Sequence, residues 1–307
     1  MFGSEILEIA IGLIFIYMLL SLFASTINEI IAKLFSLRGR NLRKAIHFMF
    51  DEEDTQFQIQ RFFNDPLIKK LSARPILDKL GIKSPTDYLP KNTFSKILTK
   101  AIFKSNEDNI PIETLEKHID EMFPQKGDSN RILKRLVRDS AGNIEKLKNN
   151  LENWYDDIMD VATEWYKSKV RVILFFIGFA FCILFNADTI KIVNSLSVNP
   201  EVRKALVSQA EELSKNYVEA DTSKTLDELK VEMQNLNMQI SDASSLLGLG
   251  WSFESGMSFW GKLGFIFQNI PNRIWGWIIT SLAISLGASF WFNFLQRVIN
   301  LKSSVKK

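Results

Sequence analysis

The sequence predicts an all-α membrane protein. It has three transmembrane helices, a helical cytoplasmic domain between the first and second, and an extracytoplasmic helical hairpin between the second and third. Three observations carry that prediction. The 307 residues are 46% hydrophobic and 24% charged, yet Ile9–Ile27, Val172–Ala187 and Ile274–Gln296 contain no charge at all, in runs of 19, 16 and 23 residues. Roughly 20 residues of helix cross a ~30 Å hydrocarbon core. Lysine and arginine gather at "KLFSLRGRNLRK", "YKSKVR" and "QRVINLKSSVKK", which assigns those three flanks to the cytoplasm. Elsewhere apolar residues recur at helical spacing, with no run of alternating strands.

The elements follow in order. Residues 1–33 form the first transmembrane helix, with its N-terminus outside. The acidic start "MFGSEILE", and the bulky residues ahead of Ala24 and Ser25, argue against a cleaved signal peptide. Residues 34–170 form the cytoplasmic domain. Leu42, Ala45, Ile46 and Met49 continue a helix, Pro66 and Pro75 divide short ones, and Phe94, Ile97, Leu98 and Ile102 define an amphipathic helix. Ile112, Leu115, Ile119 and Phe123 define another. From Ala141 one long helix runs toward the membrane, with Leu147, Leu151, Trp154, Ile158, Val161 and Trp165 on its apolar side.

The second transmembrane helix covers 171–193, reaching spanning length only by drawing in flanking residues. In the 194–250 hairpin, Leu226, Leu229, Met233, Leu236, Ile240, Ala243 and Leu247 keep a 3-4 heptad spacing. They pair either with the preceding helix, which begins after Asn199 and Pro200, or with a second chain. Residues 251–272 form an interfacial aromatic segment, 273–297 the third transmembrane helix and 298–307 a basic cytoplasmic tail. Trp251, Trp260, Phe290, Trp291, Phe292 and Arg297 are the expected membrane-interface anchors.

Several clusters invite a chemical reading. Ser281, Ser285 and Ser289, with Gly287 and Ala288, form a small-residue stripe of the kind that lets helices approach closely in lipid, either within a subunit or as an oligomer seam. Ser21, Ser25, Asn28 and Glu29 form a candidate polar pathway, because a carboxylate near a membrane boundary suits an ion route. Asp156, Asp160 and Glu164 share a helix face and form a candidate cation site, although Lys167 and Arg171 one turn on can pair with them. The single cysteine, Cys182, and two distant histidines, His47 and His118, rule out a Cys/His metal cluster within one chain. No nucleotide-binding, hydrolase or metalloprotease motif occurs. The expectation is therefore no enzyme, no cofactor, no metal site beyond that acid stripe, and no nucleic-acid partner.

The segments "IYMLLSLFASTINEI", "LRGRNLRKAI", "DPLIKKL", "DYLPKNTFSKIL", "LENWYDDIMDVATEWYK", "NADTIKI" and "LGASFWFNFLQRVINLKSS" together resemble a bacterial family of uncharacterised inner-membrane proteins. That resemblance implies a bacterial inner membrane and this topology, and it carries no catalytic residues. The expected function is a self-associating structural or anchoring component of an envelope assembly. Its partners would be the lipid bilayer, further copies of itself and a protein held by the cytoplasmic domain. An oligomeric ion channel or pore-forming effector lined by the two serine faces is the alternative, and a membrane-bound enzyme the distant one.

Overall fold

The computed structural model describes residues 2–50, 59, 62–72, 86–104, 110–123, 127–216 and 224–305. The described residues are helical, without strands: α1 (Phe2–Leu34), α2 (Leu37–Met49), α3 (Pro66–Ser72), α4 (Lys91–Phe103), α5 (Ile112–Met122), α6 (Asp128–Ser140), α7 (Ile144–Phe185), α8 (Thr189–Val198), α9 (Pro200–Asn216), α10 (Leu226–Leu247), α11 (Phe259–Ser285) and α12 (Ala288–Val305). The chain divides into two compact units, Met1–Ile31 with Ser168–Lys307, and Ala32–Lys167. Pro75 and the connection ahead of Lys224 lie outside the described residues.

Local chemistry sets the ends of these helices. Ala141 and Gly142 take left-handed backbone angles and stop α6, and the Asn143 carboxamide then accepts the Lys146 amide at 2.8 Å to begin α7. Thr225 and Glu228 form a reciprocal capping box at the start of α10, and left-handed Gly248 ends it.

The unit formed by residues 32–167 has an aromatic core. Phe50 lies against Phe62, Phe94, Phe123 and Trp154, and Leu115, Ile119, Leu133 and Val137 close it from α5 and α6. The first half of α7 contributes Leu147, Leu151 and Tyr155 to this core. Its buried stripe continues to Ala162 rather than Val161, which is 45% exposed. Trp154 and Ile158 of the predicted face pack half-buried against the same core, and Tyr155 joins them, its hydroxyl donating to the Leu89 carbonyl.

In the other unit α1 is the central helix. From Ile11 to Ala24 only Leu13 escapes full burial. α7 runs antiparallel to it, with Phe181 4.9 Å from Phe23. Beyond the turn at Asn186–Asp188, α8 continues along α1 in the same sense, with Leu196 against Gly12. The heptad positions Leu229, Leu236, Ile240, Ala243 and Leu247 are buried within the chain. Ile240 and Ala243 share a small cavity with Ile16, Leu19 and Leu20 of α1.

The largest departure from the expected architecture is at the C-terminal end. The aromatic segment and the start of the third span form one helix, α11, with Pro271 inside it. That helix stops at Leu286, and Gly287 at φ +86° sends α12 off at 94°. A single helix over 273–297 is therefore replaced by a bent pair. α11 descends beside α7, with Thr280 donating to the Ala187 carbonyl at 2.9 Å and Ile284 packed over Gly178. α12 then returns: the Trp291 ring lies tilted against Tyr17 at 4.8 Å, and Lys302 reaches Glu211 at 3.3 Å and Glu8 at 4.0 Å. Both arms of the pair lead back toward the end of α1 that carries Glu8. By length and composition two helices can cross a membrane, α1 and α7, or three if the bent pair counts as one.

Candidate functional site

Three segments of the 32–167 unit meet at one groove. "LRGRN" supplies Arg38 and Asn41 from the first turns of α2. "DYLPK" supplies Asp87, Tyr88 and Lys91 from the approach to α4. α7 supplies Tyr155, Asp156, Thr163 and Tyr166, around a cavity of about 430 Å³. Pro90 is the N-cap of α4 and restricts Leu89 before it to extended backbone. Tyr155 anchors that stretch by donating to the Leu89 carbonyl at 2.6 Å.

Each polar group in the groove has a physical setting. Asn41 is buried, and its amide nitrogen donates to the Ala162 carbonyl at 2.9 Å, while its carboxamide oxygen accepts no hydrogen bond among the described residues. A buried acceptor left open costs about 1–3 kcal/mol. At the rim the Lys91 ammonium donates to Asp156 at 2.6 Å, and that hydrogen bond and charge hold Lys91 above its ordinary value. Burial raises the Tyr155 hydroxyl well above the usual tyrosine range, so it stays protonated at neutral pH. Tyr88 is 71% exposed at the mouth. The groove thus offers tyrosine walls and, at its rim, the Lys91–Asp156 charge pair.

The cation site predicted on α7 is not assembled. Asp156 is taken by Lys91, Glu164 by Lys167 at 2.7 Å, and Asp160 points to solvent. Eight residues of helix spread the three acids over about 12 Å. Among the described residues no group of three or more His, Cys, Asp or Glu could hold a metal ion.

The small-residue stripe is split between two environments. Ser281 is fully buried, bonded to the Trp277 carbonyl and 3.6 Å from the Cys182 sulfur; Ala288 is buried too. Ser285 and Gly287 are half-buried and Ser289 is exposed. The polar pathway divides similarly. Ser21 is fully buried and donates to the Ile284 carbonyl at 3.4 Å; Asn28 is buried, while Ser25 and Glu29 are half-buried. Of the interface anchors, Trp260 and Phe290 are exposed, Arg297 is exposed and Phe292 is half-buried. Trp291 is a correction: it is 8% exposed, donates to the Ala283 carbonyl at 2.6 Å and fills the angle between α11 and α12. Trp251 is also tied inward, donating to the Ile183 carbonyl at 2.7 Å.

Sequence reading missed a buried hydroxyl chain: Tyr17 to Thr189 at 2.8 Å and Thr189 to Thr280 at 2.8 Å. It also missed Arg203, 5% exposed and 3.4 Å from Glu8. The available signals were a tyrosine and a threonine inside charge-free runs, and "NADT" as a helix start, where Asp188 caps α8. No protein-family model matches the chain, and no curated protein or solved structure is similar to it.

Proposed function

We propose that the protein is a membrane-anchored structural component. The unit containing α1 holds the chain in the bilayer, and the 32–167 unit presents a docking groove for a protein segment on the cytoplasmic side. One observation carries this reading. α7 is a single helix whose first half supplies Leu147 and Leu151 to the soluble core. Its apolar window, of mean hydropathy 2.1, is only 22% buried. Val172, Phe176 and Leu184 face outward from that window. In water such a band is costly, at about 25 cal/mol per Å² of exposed apolar surface; in lipid it is matched. The groove's tyrosine walls, Tyr88, Tyr155 and Tyr166, fit an extended peptide segment laid along them.

The topology we propose has two crossings, α1 and α7. α11 and α12 re-enter from the side that carries Glu8, so both chain ends share one face. The basic tail, which the sequence assigns to the cytoplasm, then lies outside, with Lys302 neutralised by Glu8 and Glu211. A pore would require Ser21 and Ser281 to line a lumen, and both are buried inside one chain, so the anchor is the better reading. It does not require self-association.

Two measurements test this proposal. The full-length protein should resist extraction from membranes by alkaline carbonate; release into the supernatant would overturn the anchor. A photo-crosslinking side chain at Tyr88 or Thr163 should give a discrete protein adduct in cells, absent from the same probe at Arg135. Equal labelling at all three positions would overturn the groove.

A further inference from the structure

A second polar groove, of about 750 Å³, opens between α8 and α11, where the uncharged stretch of α7 ends. Lys191, Asn194 and Ser197 line it from α8, and Asn269, Asn272 and Arg273 from α11, with Asp188 at the floor. From Arg171 to Asp188 the chain rises about 25 Å at helical pitch. On the membrane-anchor reading, on which this inference rests, the groove therefore sits at headgroup depth.

Its electrostatics are one-sided. Lys191 and Arg273 line the same groove from its two sides. Lys191 donates to the Gly248 carbonyl at 2.7 Å. Arg273 donates to the Asn186 carboxamide oxygen at 2.9 Å and lies 5.4 Å from the Trp251 ring centre. Among the described residues neither cation forms an ion pair. The one acid, Asp188, is 6% exposed, and its Oδ1 already accepts the amides of Ile190 and Lys191. Two cations with unspent N–H groups, three carboxamides and a hydroxyl therefore face a common space. Ile190 in the lining is 58% exposed, and Trp275, one turn of α11 beyond Asn272, is 70% exposed. A free anion has no use for those side chains, whereas a lipid does.

We infer that this groove binds the phosphate of an anionic phospholipid headgroup between Lys191 and Arg273, with the acyl chains along Ile190 and Trp275. The phosphate oxygens would accept charge-assisted hydrogen bonds, which are the strong kind.

The test is native mass spectrometry of the full-length protein in detergent with added phosphatidylglycerol, phosphatidylcholine or inorganic phosphate. Phosphatidylglycerol should be retained in preference to phosphatidylcholine. Lys191→Gln should weaken it about tenfold or more, Lys191→Arg should keep it, and Lys262→Gln, elsewhere on the same unit, should leave it unchanged. Arg273 also braces Asn186, so the lysine variants carry the decision. Equal retention by Lys191→Gln and Lys262→Gln would overturn the site. Displacement of the lipid by an equal concentration of inorganic phosphate would overturn the lipid assignment in favour of a free-anion site. Failure of the anchor reading would appear separately, as carbonate release, whatever these spectra show.

Discussion

α1 and α7 carry apolar windows of nearly equal strength, with mean hydropathy 2.5 and 2.1, yet 67% of the first is buried inside the protein and 22% of the second. The same composition serves two solvents. α1 is wrapped by protein on most sides, including helices whose outer faces are charged: Phe15 shares a pocket with Gln209, Glu212 and Asp242. α7 instead turns Val172, Phe176 and Leu184 outward. A helix hydrophobic all round is buried, either in a core or in a membrane, and its own sequence does not say which. The neighbours decide.

The strongest way to break this contrast is to ask where the chain ends lie. With Cys182 replaced by alanine, single cysteines at Lys204, Leu301 and Thr163 report sidedness to an impermeant maleimide in sealed vesicles. The bent pair predicts all-or-none labelling, with 204 and 301 accessible from one face and 163 from the other. Labelling of 301 together with 163 would restore a third crossing and undo the re-entrant arrangement.

Next in size is the contact that fixes the pair against α8. A β-carbon at Gly276 would collide with the Asp188 carboxylate, and that carboxylate is committed as the cap of α8. Gly276→Ala is expected to cost about 3 kcal/mol, at the upper end of overpacking effects, seen as a lower melting temperature in detergent. Gly12→Ala meets only the tip of Leu196, at 3.0 Å, and should cost about 1 kcal/mol. Equal effects would mean that Asp188 can move away from its cap.

The contrast between the two windows also makes a direct prediction. Leu19, 1% exposed within the wrapped part of α1, should lose about 2–5 kcal/mol on change to alanine. Phe176, 64% exposed, should lose no more than about 0.5 kcal/mol in detergent. The same two variants read by thermal melting suffice; a large loss at Phe176 would show that its face is covered by protein.

These differences explain what was legible beforehand. Charge-free runs and heptad spacing are local, so the helical class, the apolar runs and the buried heptads of α10 could be read directly. The turn at Leu286–Gly287 could not, since a lone glycine in an apolar run is also common in straight membrane helices. What bends the chain there is tertiary: Trp291 fits against Tyr17 and the Ala283 carbonyl, and Lys302 finds two acids far away in sequence. The groove of the 32–167 unit was half legible. Its three segments stood out as motifs, but Asn41 gains meaning only when Ala162 satisfies its nitrogen and leaves its oxygen open. The acid stripe on α7 failed for the converse reason: spacing placed three carboxylates on one face without supplying the opposing ligands that an ion needs.

The smallest effect separates the units by acidity. In the 32–167 unit, Asp120 accepts from Lys134 at 2.6 Å and from Asn130 at 2.9 Å. The lysine hydrogen bond, then the asparagine one, hold its carboxyl below the ordinary aspartate value; Lys104 does the same for Glu121. A carboxyl lowered in the folded state stabilises it above the unfolded value, and that contribution fades as pH falls through the lower folded one. Asp120 ties α5 to α6 through these two bonds, so the melting temperature of the full chain should fall as pH drops below about 4. Asp120→Asn should shallow that fall while leaving the Asn130 contact to Phe123 intact. An acid limb unchanged by Asp120→Asn would place the acid-sensitive contacts elsewhere.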